Sequence, residues 1–120
     1  MKISIFEDIE AWKEARILTN TIYNLNKVGG LSKDFGLKDQ LQRASVSIMA
    51  NIAEGFDAHS NKHFINFLNF AYRSASEVQS LIYVARDQKY YTEDQFEEIY
   101  KQIDKIKGLI GGFIKYLKNN

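Results

Sequence analysis

From Phe96 to Leu117 apolar residues recur at Phe96, Ile99, Ile103, Ile106, Ile110, Phe113 and Leu117, always three or four positions apart. Only an α-helix returns side chains to one side at that period, and so narrow a stripe is the seam of a bundle or coiled-coil helix. Thr92-Glu93-Asp94-Gln95 reads as the capping box that opens it. The sequence holds no proline, so nothing in it must interrupt a long helix. Three more segments share the period. Trp12, Ala15, Leu18, Ile22 and Leu25 form one stripe, and Leu37, Leu41, Ala44, Ile48 and Ile52 a second. Phe64, Phe67, Leu68, Ala71, Ala75, Val78, Ile82 and Ala85 form a third, with Ser60 its expected N-cap. Gly29-Gly30 is read as the end of the first helix, and Gly55 as the residue after the second. The spacing predicts helices over about 7–26, 37–54, 61–88 and 93–118.

Four helices joined by short breaks imply an all-α fold, an antiparallel up-down-up-down four-helix bundle. The 120 residues are expected to form a single domain, 1–120. With 45% apolar and 26% charged residues the chain can bury one core, which excludes a disordered or fibrous class. Lack of cysteine excludes disulfides, thiolate metal sites and a cysteine nucleophile. No apolar signal core opens the sequence and no run approaches the ~18 apolar residues of a span, so a cytoplasmic protein without membrane contact is expected. Gly108 and Gly112 form a G-x-x-x-G outside any apolar 20-mer. They are read as small residues that let bundle helices approach closely.

Catalytic motifs are missing. His59 and His63 have helical spacing, but only Glu54 and Asp57 lie near, so no metal is expected. Ser45 and Ser47 have no adjacent histidine, and no nucleophile elbow, P-loop or dinucleotide fingerprint occurs. No enzyme, cofactor or small-molecule substrate is expected.

Gln40, Arg43, Ser47, Asn51 and Glu54 lie three or four apart, in a polar stripe beside the apolar one. Serine and asparagine are mediocre helix formers, so this choice points to hydrogen bonding across an interface rather than to a plain exposed face. The third helix carries further apolar residues on both flanks, Ile65, Tyr72 and Tyr83 on one and Phe70, Leu81 and Val84 on the other. Such a helix is either central in the bundle or part of an interface between copies, and symmetric self-association explains both flanks. A hairpin turning near Ala58 would set Arg43 level with Arg73 and about one turn from Glu77, its expected partner in a buried ion pair. The same register sets Glu54 level with Lys62 and His63.

Charge is nearly balanced, at +1. The fourth helix nevertheless begins with Glu93, Asp94, Glu97 and Glu98 and ends with Lys101, Lys105, Lys107, Lys115 and Lys118. These lysines are the candidate nucleic-acid contacts, with Lys13 and Arg16 as possible neighbours. Dipole complementarity accounts for the same order, and Glu7, Asp8, Glu10 and Glu14 of the first helix would quench the field.

At several blocks the sequence resembles the 23S rRNA intervening-sequence protein family. The opening Phe6-Glu7-Asp8-Ile9-Glu10-Ala11-Trp12-Lys13-Glu14-Ala15 is similar to the family's aromatic-acidic-tryptophan start. Phe35-Gly36-Leu37, Gln40, Arg43-Ala44, Ser47-Ile48 and Asn51-Ile52-Ala53-Glu54-Gly55 resemble its central signature, and Phe64, Phe67-Leu68, Ala71, Ser74 and Glu77 its third-helix pattern. The likeness spans about Phe6 to Leu117. Members often carry proline where this chain has Met49, and another near Ser32, so a kink in the second helix loses its usual cause. The resemblance implies a four-helix bundle assembling as a ring-shaped homopentamer. A related accessory protein of diversity-generating retroelements binds nucleic acid and a reverse transcriptase. The expected function is a self-assembling, non-enzymatic, ribosome-associated protein binding RNA or a ribonucleoprotein through the ring. The alternative is a protein-interaction scaffold with no nucleic-acid role. Gln40, Arg43, Ser47, Asn51, Glu54, Ser74 and Glu77 are the expected network or assembly residues.

Overall fold

The computed structural model describes residues 2–120. Four helices make up the fold: α1 Glu10–Leu25, α2 Phe35–Phe56, α3 Asn61–Asp87 and α4 Glu93–Lys118. Each packs on its neighbour in sequence, and α4 closes back on α1, giving the up-down-up-down bundle. The molecule measures 46 × 21 × 19 Å. At 27 residues α3 is about 40 Å long, so it runs most of that length. The core is drawn from all four apolar stripes, with Leu18, Ile22, Leu41, Ile48, Ile52, Leu68, Ile82, Ile103, Ile106 and Ile110 among its fully buried side chains. Among the described residues no helix is long and apolar enough to cross a membrane.

Local chemistry sets the ends. Thr92 and Gln95 form the capping box of α4: the Gln95 amide donates to Thr92 Oγ1 at 3.1 Å and the Thr92 amide to Gln95 Oε1 at 2.9 Å. Ser60 caps α3, accepting from the His63 amide at 3.2 Å. Lys89, in the left-handed region at φ 63°, closes α3 in a Schellman motif, with the Tyr90 amide reaching Ala85 O at 2.8 Å.

Four boundaries differ from the sequence expectation. Residues Phe6–Asp8 form a 3-10 turn, and α1 starts only at Glu10. Ile9, extended and buried, anchors the chain there, so the acids before it lie outside the helix. α1 then ends at Leu25, before the glycines, because Asn26 ties its end to α2: its amide Nδ2 donates to Lys38 O at 3.0 Å and to Gln42 Oε1 at 3.1 Å. α2 is longer at both ends. Asp34 caps it through the Leu37 amide at 3.2 Å, and it runs without interruption through Met49 to Phe56.

Gly55 is therefore inside α2 and not beyond it. A Cβ at Gly55 would lie 2.8 Å from Phe67 Cβ and 2.7 Å from Phe64 Cδ1, so the glycine exists for close approach of α3. Gly108 and Gly112 do the reverse of what was expected of them. A Cβ at either would meet nothing within 4 Å. The same holds for Gly111. Gly55→Ala is expected to lower stability by about 1–3 kcal/mol through overpacking. Gly111→Ala should raise it by about 0.5–1 kcal/mol through helix propensity alone. Urea midpoints at constant slope give both values.

Candidate assembly and nucleic-acid surfaces

The α2/α3 register is fixed where Ser47 Oγ and Ser74 Oγ share a hydrogen bond of 2.9 Å. Asn51 Nδ2 reaches back to Ser47 O at 2.8 Å and Ser47 Oγ at 3.0 Å. Of the expected network residues the fold brings these three together. Gln40, Arg43, Glu54 and Glu77 stay outside this network. With Ser47 opposite Ser74, Arg43 lies level with Val78, not Arg73, and Glu54 lies level with Phe67, not Lys62 or His63. The expected Arg43–Glu77 pair does not form. Arg43 Nε instead meets Asp39 Oδ2 at 2.9 Å, one turn back on its own helix, with 80% of the Arg43 side chain exposed. An i,i+4 partner costs less to reach than one across the groove, and solvation removes the desolvation that would have made the pair strong. Beside this polar strip α3 presents Phe70, with Arg73 stacked 4.9 Å above its ring, and Val84, both more than two-fifths exposed. Phe67 and Leu81 sit half-buried between them and α2.

Structure divides the candidate lysines of α4. Lys105 Nζ lies 3.5 Å from Glu14 Oε2, the quenching by α1 acids that the topology suggested. Lys107 donates to Gln79 Oε1 at 3.1 Å and covers the Tyr72 ring at 5.0 Å, while Gln79 donates to Asp104 Oδ1 at 2.8 Å. Lys101, Lys115 and Lys118 are exposed. Of the neighbours proposed on α1, Lys13 pairs with Glu10 at 3.4 Å and Arg16 lies over Trp12 at 5.8 Å. His63 Nδ1 shares a 2.8 Å hydrogen bond with Ser60 Oγ, and among the described residues no three His, Asp or Glu side chains converge.

Sequence reasoning missed two features. An aromatic cluster on α3/α4 joins Tyr83 to Phe96 (4.9 Å) and Tyr100 (6.2 Å), with Arg86 over both Tyr83 and Phe96. Its signal was Tyr83 and Tyr100 flanking two stripes whose helices are adjacent. The charge of Tyr83 beside it, together with burial and Asp104, raises the Tyr100 hydroxyl above its usual pKa. The second feature is in the α3–α4 loop. Tyr90 OH donates to Asp34 Oδ2 at 3.0 Å, and the carboxylate raises its pKa. Next to it Tyr91 is buried, and its hydroxyl has no hydrogen-bond partner among the described residues. Burial pushes that hydroxyl well up.

Arg43→Ala is expected to cost only a few tenths of a kcal/mol, about the worth of an exposed i,i+4 pair. Ser74→Ala should cost about 1 kcal/mol by removing the half-buried cross-helix bond. Denaturant titrations separate the two. Tyr91→Phe should stabilise the fold by about 1 kcal/mol, since it deletes a buried unpaired hydroxyl without changing the ring. A phenol whose folded pKa is raised favours folding below its unfolded pKa, 10.0, and loses that contribution as pH climbs beyond it. Alkaline unfolding of Tyr91→Phe should therefore be shallower than that of the wild type.

These surfaces sit on a fold that has relatives. A solved structure of a protein of unknown function from the S23 ribosomal protein family of Bacteroides thetaiotaomicron superposes with a TM-score of 0.81 at 29% identity, over 88% of this chain and 95% of that one. Comparison with curated proteins gave no match. The profile of the family described as 23S rRNA-intervening sequence protein matches residues 7–112, from the 3-10 turn before α1 to the glycines of α4. With nearly the whole bundle matched, the chain belongs to the 23S rRNA-intervening sequence protein family.

Proposed function

We propose that this protein is a non-catalytic scaffold that assembles with copies of itself and, once assembled, binds RNA or a ribonucleoprotein partner. The observation that carries the reading is the α2/α3 face, where Phe70 and Val84 stand exposed beside the Ser47–Ser74–Asn51 network. Apolar and aromatic side chains around a small polar centre make a surface suited to a protein partner, and a second copy is always at hand. The five-membered ring implied by the family resemblance is the assembly proposed. Catalysis has no support in the site chemistry: Ser45 Oγ is used on Gln42 O at 3.1 Å and Ser47 Oγ on Ser74.

The RNA part rests on the family's description and on Lys115 and Lys118, exposed at the end of α4. A single chain of charge +1 has little attraction for a polyanion. Repeating two lysines around a ring raises their effective concentration and turns weak contacts into avidity. The scaffold-only reading is favoured by one observation, that Glu14 occupies Lys105 and Gln79 occupies Lys107.

Binding of a structured RNA measured from about 50 to 200 mM salt tests the choice. The slope of log affinity against log salt should flatten by about 0.7–0.9 for each phosphate that the double variant Lys115→Gln/Lys118→Gln no longer neutralises. An unchanged slope removes α4 from the reading. No retention of RNA at low salt leaves the protein scaffold alone.

A further inference from the structure

The last turns of α4 are held less firmly than any other helix end. Residues 111–118 bury one residue, Leu117, whereas the outer eight residues at every other end of α1–α4 bury at least two. Phe113, Ile114 and Tyr116 are only half-buried. Hollows on both sides account for the deficit. Toward α1 lies a glycine cleft of about 570 Å³, bordered by Gly108, Gly112 and Phe113. Toward the α2–α3 turn a second hollow of about 250 Å³ runs along Phe113 and Leu117. The ties that cross to α3 are slight. Phe64 meets Phe113 edge to face at 5.1 Å, and Asn61 Nδ2 donates to Leu117 O at 3.4 Å, beyond the usual range of such a bond.

The backbone of the same stretch favours the helix poorly. Gly108, Gly111 and Gly112 stand within five residues, and a Cβ at any of them would meet nothing within 4 Å. None of the three serves close packing as Gly55 does. Each leaves the helical state about four- to fivefold less favoured than alanine would, so the three together weaken it about a hundredfold. The end is not locked either. α3 stops in the left-handed turn at Lys89, whereas Asn119 after α4 has φ −94° and makes no such closure.

Low burial and low propensity thus fall on one segment, and such a segment opens at less cost than the whole molecule. Its natural pivot is the adjacent pair Gly111-Gly112, where the chain bends with least resistance. Before the pair, Ile103, Ile106 and Ile110 are fully buried and hold the rest of α4 in place.

We propose that α4 is hinged at Gly111-Gly112, and that residues 113–118 form an arm that leaves the bundle as one unit while the rest stays folded. The arm carries Lys115 and Lys118, so both ammonium groups are mounted on the part that moves. Opening also uncovers the ring of Phe64, on which Phe113 packs in the closed state. The motion belongs to the single chain and needs neither assembly nor RNA.

Amide hydrogen exchange of the full-length protein, read residue by residue by NMR, tests the hinge. In the wild type the amides of 113–118 should share one protection factor, well below that of Ile103 and Ile106, with a step at the glycines. In Gly111→Ala/Gly112→Ala, which fills only open space, protection of the arm should rise about twentyfold. Arm amides as protected as Ile103 and Ile106 overturn the hinge, because α4 then opens only with the whole bundle. Protection that declines steadily from Ile110 to Lys118 overturns it too, since that is the fraying of any helix end. Arm protection unmoved by the alanine pair overturns the placing of the pivot at the glycines.

Discussion

The absent side chain of Gly55 governs the layout of the bundle. Phe64 and Phe67 of α3 lie so near α2 that a Cβ there would overlap Phe67 Cβ at 2.8 Å. That approach starts α3 directly after a short turn and sets Ser47 opposite Ser74 one helical stretch further on. Everything presented by the α2/α3 face follows from this register. It leaves Arg43 to Asp39, holds Asn51 against Ser47, and pushes Phe70 outward, since the space beneath is already taken by Phe67 and its neighbours.

The opposite seam is built on another principle. α2 and α3 meet through small side chains in contact, whereas α1 and α4 contribute fully buried side chains to the core, Leu18 and Ile22 from one and Ile103 and Ile106 from the other. At the surface Glu14, half-buried, and Lys105, exposed, reach across. With its ammonium in solvent the pair is worth about 1 kcal/mol at most, so the buried isoleucines, not the ion pair, hold the helices together.

The fold was legible in the sequence because periodicity records burial directly. Every stripe residue from Phe96 to Leu117 is buried except Phe113, which is half-exposed on the glycine cleft. Caps with a local signature, Ser60 and Thr92, were equally legible. What failed depended on tertiary geometry. Gly55 looks like a helix stop because a C′ glycine and a packing glycine are the same letter. Ile9 breaks the start of α1 through its burial, which no local propensity announces. Arg43 had two carboxylates within reach, and the same-helix i,i+4 partner Asp39 took it although the observed register sets Glu77 within one residue of its height. The network residues Ser47, Asn51 and Ser74 were legible by type but not their separation from Gln40 and Glu54.

The charges lead to one more step. At net +1 the sequence balances almost every cation with an anion, and in the bundle several of those pairs are realised locally, as at Lys13, Arg43, Arg86 and Lys105. Two of the cations outside such pairs lie together at one end of the bundle. Lys115 and Lys118 share the last turn of α4, where a cation also faces the negative end of the helix dipole. Cations held there stabilise the helix for the single chain by a few tenths of a kcal/mol at most in salt. In the ring proposed for the assembly, parallel copies would bring these two lysines to one height on one rim. A Debye length of about 8 Å then becomes comparable to the spacing within each pair but shorter than the 21 Å breadth of a bundle. In the proposed assembly each rim pair would act on a polyanion as a separate local contact, joined by the length of the polyanion and not by the field of the protein.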